Sequence, residues 1–203
     1  MSYTPLHTVT RLGVLGGTFD PIHYGHLVLA ETARIHYALD AVLFIPAGEP
    51  PHKTSQQATA EERFLMVSLA TASHPLFHVS RIEIERAGAS YTVDTLRTLR
   101  GLFPCAALFL LLGADSALDF PLWRAPEEIS QLATIVAATR PGVALDPSAR
   151  AAAGEGVHYE VLPIPGLLLS SSDLRARVHE GLSLRYLTPD AVVAFIEKSG
   201  LYR

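Results

Sequence analysis

Cysteine is nearly absent: 203 residues contain one, Cys105, so an internal disulfide is excluded. That residue opens the longest fully apolar run, Cys105 to Leu112, and is expected in the core rather than as a nucleophile. The run is also too short to cross a bilayer. Positive charge is not in excess, and a net charge of -4 leaves no basic footprint for nucleic acid. Met1 to Thr10 lacks the basic and apolar regions of a signal peptide, which points to a cytoplasmic chain with no membrane partner. No internal repeat or convincing linker is visible. What is present, 49% hydrophobic and 18% charged residues, fits a single domain over 1–203 with a substantial core.

Two common phosphate-binding strings are missing as well. Gly-x-x-x-x-Gly-Lys-Ser/Thr occurs nowhere, and Gly-x-Gly-x-x-Gly does not follow the first apolar run. Strand candidates are Leu12 to Leu15, Ala41 to Ile45, Leu76 to Val79, Ala106 to Leu112, Thr134 to Ala138 and Tyr159 to Leu162. Several are apolar throughout, as parallel strands covered on both faces are. Helical patterns lie near Tyr24 to Tyr37, Ala60 to Ser73, Tyr91 to Leu102, Pro126 to Gln131, Ser172 to Glu180 and Pro189 to Lys198. This alternation predicts an α/β fold with a doubly wound, mostly parallel sheet, which takes ligands at the carboxyl ends of its strands. Ala47 to Thr59, with Gly48, Pro50 and Pro51, predicts a long functional loop, and Pro141 to Gly156 a surface excursion.

The first strand breaks into Gly16-Gly17-Thr18-Phe19-Asp20-Pro21-Ile22-His23-Tyr24-Gly25-His26. Gly16 and Gly17 leave no Cβ in the way of a phosphate, and Asp20-Pro21 turns the chain into a helix. His23 and His26 are three apart and share a face of its first turn. Two imidazoles beside free N–H groups at the positive end of a helix suit a polyphosphate. A metal at these histidines would need further ligands that neighbouring sequence does not offer. Gly17 to His26 resembles the signature of the nucleotidyltransferase superfamily that includes pantetheine-phosphate adenylyltransferases, cytidylyltransferases and, more distantly, class I aminoacyl-tRNA synthetases. The resemblance implies a Rossmann-like nucleotidyltransferase fold and fixes the reaction type, not the substrate.

A second segment, Ser170-Ser171-Ser172-Asp173-Leu174-Arg175, follows Leu167 to Leu169. Serines at a helix start are ordinary caps, and Ser170 with Asp173 approximates a capping box. The segment also resembles the second superfamily motif, Ile-Ser-Ser/Ala-Thr-x-Ile-Arg, with Ser172 in place of Thr and Leu174 in place of Ile. That likeness implies that hydroxyls and amides at Ser170 and Ser171 hold ATP phosphates and that Arg175 reaches them as a charged fork.

Between these motifs come Pro50-Pro51-His52-Lys53, Ser90 to Thr95, Gly113-Ala114-Asp115-Ser116 and Trp123, and the chain ends Gly200-Leu201-Tyr202-Arg203. Order and spacing are similar to those of bacterial nicotinate-mononucleotide adenylyltransferases over nearly the whole chain. The resemblance implies transfer of the adenylyl group of ATP to nicotinate mononucleotide in NAD biosynthesis. It implies catalytic roles for His23, His26, Lys53 and Arg175, and an ATP site of Gly16, Gly17, Thr18, Phe19, Gly113, Asp115, Arg140, Ser170 and Ser171. The mononucleotide falls to Tyr91, Thr92, Trp123 and Arg124, with Trp123 stacking the pyridine and the N–H groups of Thr92 and Arg124 taking its carboxylate. Mg²⁺ is expected to arrive with ATP.

Each residue taken alone has a plainer alternative: Lys53 and Arg140 solvated, Trp123 in the core, Asp115 a helix cap. Partners are small molecules, and a homo-oligomer stays open. Transfer to another phosphorylated acceptor leaves the middle motifs unexplained; a regulator that binds nucleotide without turnover needs fewer cationic donors than this chain carries.

Overall fold

The computed structural model describes residues 8–50, 56–139 and 159–203. Its elements run β1 (Arg11–Gly17), α1 (Tyr24–His36), β2 (Ala41–Pro46), α2 (Ala60–Thr71), β3 (Phe77–Val79), α3 (Thr92–Leu102), β4 (Ala107–Leu112), α4 (Ala114–Asp119), α5 (Pro126–Leu132), β5 (Thr134–Thr139), β6 (Tyr159–Pro163), α6 (Ser171–His179) and α7 (Asp190–Ser199). The strands form one six-stranded sheet in the order β3-β2-β1-β4-β5-β6. The pairs β1–β4, β4–β5 and β5–β6 are parallel. This is the doubly wound α/β sheet expected from the alternating pattern, with the strand order reversing at β1.

The burial of each strand follows from its composition. Ala41 to Pro46 is buried at every position, as a strand covered on both faces must be, and this is why it does not alternate. At the sheet edges, β3 is half-buried and β6 is largely exposed.

Every strand and helix predicted from periodicity is present within a few residues of its expected bounds. Helix α4 and the 3₁₀ turn Phe120–Leu122 after it were not foreseen. Six residues, Ala114 to Asp119, are too few to show a helical period. Cys105 is a correction: it is exposed, on the turn between α3 and β4, so its place beside an apolar run did not put it in the core. Leu168, in the run before α6, is likewise 84% exposed. The expectations for 51–55 and 140–158, Lys53 and Arg140 among them, lie outside the described residues.

The chain divides into two compact units built from interleaved segments, one of 1–15, 29–43 and 91–166, the other of 16–28, 44–90 and 167–203. In the first, Arg100 bonds the carbonyls of Leu132 and Ala106 at 3.1 and 2.9 Å, tying α3 to the ends of α5 and of the turn before β4. The second unit carries α2, whose start is fixed by a reciprocal cap. Glu62 N–H donates to Thr59 Oγ1, and Thr59 N–H to Glu62 Oε2.

Close backbone approach shapes this second unit at Gly48. A Cβ there would lie 2.3 Å from the carbonyl oxygen of Glu83, an atom that cannot move aside without displacing the chain. Gly48→Ala is expected to destabilise the protein by about 1–3 kcal/mol, the usual cost of overpacking, measured by denaturant unfolding. An unchanged midpoint would mean that the two segments separate freely.

Candidate active site

The segment leaving β1 is held by its carbonyl oxygens. Gly17 O accepts from Ala47 N at 2.9 Å. Thr18 O accepts from Arg63 Nη1 at 2.8 Å, Asp20 O from Arg175 Nη1 at 2.7 Å, and Pro21 O from Ser171 Oγ at 2.9 Å. Ile22 O accepts from Thr188 Oγ1 at 2.7 Å. The two sequence motifs, 150 residues apart, are therefore in direct contact through Ser171 and Arg175. The Asp20–Pro21 peptide is cis, and Phe19 has φ of 52° with its ring buried.

His23 immediately precedes α1 and is buried, whereas His26 lies in the first turn and is half-buried. Their rings stack at 3.8 Å between centroids, and Phe19 meets His26 edge-on at 5.0 Å. The His23 N–H donates to His26 Nδ1 at 3.2 Å. An accepting Nδ1 carries no proton, so in the neutral ring Nε2–H is the donor. The expected free N–H groups at the start of α1 need correction. The N–H of His23 is bound to His26, that of Tyr24 to Leu187 O at 3.0 Å, and that of His26 to His23 O at 3.0 Å. These amides serve the protein's own acceptors, which leaves the side chains as the stronger anion donors of this turn.

The glycines of the motif divide by task. A Cβ on Gly25 would stand 2.9 Å from His23 Nδ1, so only glycine lets that imidazole fold back over the helix start. A Cβ on Gly17 would press at 3.2 Å on the Phe19 ring, whereas Gly16 is exposed with open space around it. Only Gly16 has the clearance expected of a residue under a phosphate.

At the second motif Ser170 caps α6, its Oγ accepting from Asp173 N at 3.1 Å, and so keeps its own O–H. Ser171 spends its O–H on Pro21. Arg175 uses Nη1 on Asp20 O and Nη2 on Ser172 Oγ, and a guanidinium has further donors.

Four further residues of this unit, to which the sequence pattern assigned no site role, bear on the turn. Asp20 is buried, with Oδ1 accepting from Tyr202 Oη at 2.7 Å and Ala58 N at 3.2 Å, and Oδ2 from Gln57 N at 3.0 Å. Burial, then the bond to Asp20, pushes the Tyr202 phenol well above its ordinary value, so it remains a donor. Arg63 is buried on the stripe Arg63, Met66, Val67, Ala70 of α2 and bonds Gly48 O as well as Thr18 O. Burial lowers its pKa, and Asp20, Tyr202 and Glu83 oppose that shift. The signal for it was available in the sequence, as a cation on an otherwise apolar helical stripe. Thr188, fully buried on Ile22 O, had no such signal.

In the other unit Tyr91 is the residue before α3 and Thr92 its first. The guanidinium of Arg124 lies over the Tyr91 ring at 4.7 Å, with Nη1 3.8 Å from Asp94 Oδ2. Arg97 links Asp94 to Glu128 on α5 through bonds of 2.7, 2.7 and 2.6 Å. Trp123 is half-buried, its ring 5.5 Å from Phe120. The structure thus gathers Tyr91, Thr92 and Arg124, with Trp123 adjoining. Gly113 is the N-cap residue of α4, and Asp115 is exposed in that helix's first turn, so the cap alternative for Asp115 is excluded.

Among the described residues no group of three or more His, Cys, Asp or Glu side chains is arranged to hold a metal ion, and no helix is long and apolar enough to cross a membrane.

A parallel sheet of this order, with paired histidines after its first strand and a serine–arginine motif bonded to that same turn, defines an α/β nucleotidyltransferase. The chain belongs to the cytidylyltransferase-like family, whose model matches residues 14–177. A protein of Roseiflexus sp. named "probable nicotinate-nucleotide adenylyltransferase" is 51% identical over 197 residues, covering 95% of this chain and 98% of that one. A protein of the same name from Corynebacterium kroppenstedtii is 46% identical over 193 residues, covering 95% and 90%. Among solved structures, the Plasmodium falciparum nicotinic acid mononucleotide adenylyltransferase complexed with NaAD superposes with a TM-score of 0.78 at 20% identity, covering 95% of this chain and 97% of that one. That likeness establishes the fold.

Gly25→Ala tests whether the glycine exists for the imidazole. Alanine favours a helix by about 1 kcal/mol, so stability should hold. Turnover should fall about 10²-fold as His23 is displaced. Normal turnover with an unchanged Tm would show that the ring position is not critical.

Proposed function

We propose that this chain transfers the adenylyl group of ATP to nicotinate mononucleotide, releasing pyrophosphate and forming nicotinate adenine dinucleotide. The observation that carries it is the junction of the two motifs at Asp20 and Pro21, where Ser171 and Arg175 donate to the backbone of the histidine turn. The relatives at 46% and 51% identity support the choice of acceptor.

An oxygen of the mononucleotide's 5′-phosphate attacks the α-phosphorus of ATP in line. One P–O bond forms there, and the bond to the β-phosphate oxygen breaks, its electron pair leaving with pyrophosphate. The nucleophile is already anionic, so no general base or covalent enzyme intermediate is needed. What the protein supplies is position and compensation of the charge moving onto the leaving group. His26 presents Nε2–H, and His23, Lys53 and Arg175 complete the donors. Gly16 and the Ser170 hydroxyl lie nearest the phosphates, with Gly17, Thr18 and Phe19 shaping that turn. Gly113, Asp115 and Arg140 serve the adenosine, and Ser171 holds the turn through Pro21. Mg²⁺ comes bound to the ATP phosphates, which it prefers to a protein cage. Trp123 offers its face to the pyridine beside Tyr91, and the N–H groups of Thr92 and Arg124 take the carboxylate.

Pyrophosphate release is measured with Mg-ATP and nicotinate mononucleotide, nicotinamide mononucleotide or pantetheine phosphate in parallel, and the nicotinate form should be strongly preferred. Activity only with another acceptor would overturn the substrate, and no release with any would favour a binding protein. His23→Ala should lower turnover about 10²–10³-fold, the range for loss of one donor to developing negative charge. Near-normal turnover in a folded variant would remove His23 from the chemistry. Trp123→Ala should raise KM for the mononucleotide and leave that for ATP nearly unchanged; equal rises in both would contradict stacking.

A further inference from the structure

We propose that Tyr202, next to the last residue of the chain, is a positioning residue for adenylyl transfer, acting through its hydrogen bond to the Asp20 carboxylate. The inference rests on the assignment of the His23–His26 turn to the ATP phosphates. Tyr202 is buried, and its Oη donates to Asp20 Oδ1 at 2.7 Å. The same carboxylate receives the N–H groups of Gln57 and Ala58, at 3.0 and 3.2 Å, just before the cap of α2 at Thr59. Arg175 grips the backbone oxygen of the same residue. Asp20 is thus where the turn after β1, the segment leading into α2, the second motif and the chain terminus meet, three residues before His23.

The tyrosine is set for this bond by its backbone. Helix α7 ends at Gly200 with φ of 68°, and Tyr202 has φ of 65°, so two left-handed residues fold the last turn back over the unit. An L-residue rarely adopts that conformation, and its cost is met where surrounding contacts fix it. Beside Ala58 N, Tyr202 is the donor that fixes Oδ1. A buried carboxylate oxygen that loses a donor is driven to re-pair, and Asp20 cannot rotate without releasing Gln57 and Ala58. A shift of the turn by a fraction of an ångström then misplaces His23 and His26, which catalysis by positioning penalises steeply.

Tyr202→Phe removes only the hydroxyl. The expected result, assayed well below the variant's own Tm, is a kcat about tenfold lower with KM for ATP and for nicotinate mononucleotide within about twofold of the parent. Thr71→Val is the control: it removes another buried hydroxyl, bonded to Val67 O at 2.9 Å within α2, and should lower Tm with kcat unchanged. Asp20→Asn should also lower kcat, and the double variant Tyr202→Phe with Asp20→Asn should be no slower than Asp20→Asn alone, because both changes break one linkage. A parental kcat in folded Tyr202→Phe, or losses that multiply in the double variant, would overturn the proposal. The assignment beneath it fails separately: near-normal turnover in His23→Ala removes the phosphate role of the turn, whatever Tyr202→Phe shows.

Discussion

Six carbonyl oxygens, those of Gly17, Thr18, Asp20, Pro21, Ile22 and His23, are held by donors arriving from four other parts of the chain or from the first turn of α1. Everything else at this turn depends on that constraint. A peptide whose carbonyl is drawn into the protein presents its electropositive side elsewhere, and a turn fixed at so many points does not reorganise when charge moves during reaction. Two of these donors are guanidiniums. Arg63, buried and bonded to Thr18 and Gly48, places a permanent positive charge under the turn, in a medium where it acts with less screening than at the surface.

This constraint changes what the glycines mean. Glycines after a first strand suggest room for a phosphate, yet Gly17 is small for Phe19 and Gly25 for His23. Both serve side-chain packing that fixes the imidazole pair, and Gly16 alone is open. The amides at the start of α1 are in the same position, occupied by Leu187 O and His26 Nδ1, so helix polarity assists an anion there without lending it those hydrogen bonds.

The fold was legible because each long element carries its own period: Ala41 to Pro46 is apolar throughout since it is buried throughout, and α2 shows its stripe. The junction of the two motifs was legible from likeness to a family, since nothing local in Ser170 to Arg175 distinguishes a phosphate site from a cap. The rest was hidden for identifiable reasons. A six-residue helix at Ala114 has no measurable period. Cys105 sits at the end of an apolar run but on the turn side of it, a boundary one residue wide. Thr188 and Tyr202 act through bonds to atoms more than 160 residues away, which no local pattern encodes. Arg63 alone among these was legible locally, because a cation on an apolar helical face calls for a partner.

On the proposed assignment of the pyridine to Tyr91 and Trp123, selectivity turns on how Arg124 is used. Its side chain lies on the Tyr91 ring and beside Asp94, which is itself bonded to Arg97, so this cation already has its counter-charge. A bare guanidinium there would attract any anion, the phosphates of ATP included. Backbone N–H groups discriminate differently. They donate and cannot accept, so a carboxylate satisfies two of them with two oxygens, whereas an amide offers one oxygen and turns its NH₂ donor toward the other N–H. Burying that unmatched pair costs about 1–3 kcal/mol, about fivefold to 150-fold in preference. Arg97 joins Asp94 on α3 to Glu128 on α5, so the carboxylate beside Arg124 is itself already paired, and on the proposed assignment the acid form is preferred through neutral donors rather than through net charge.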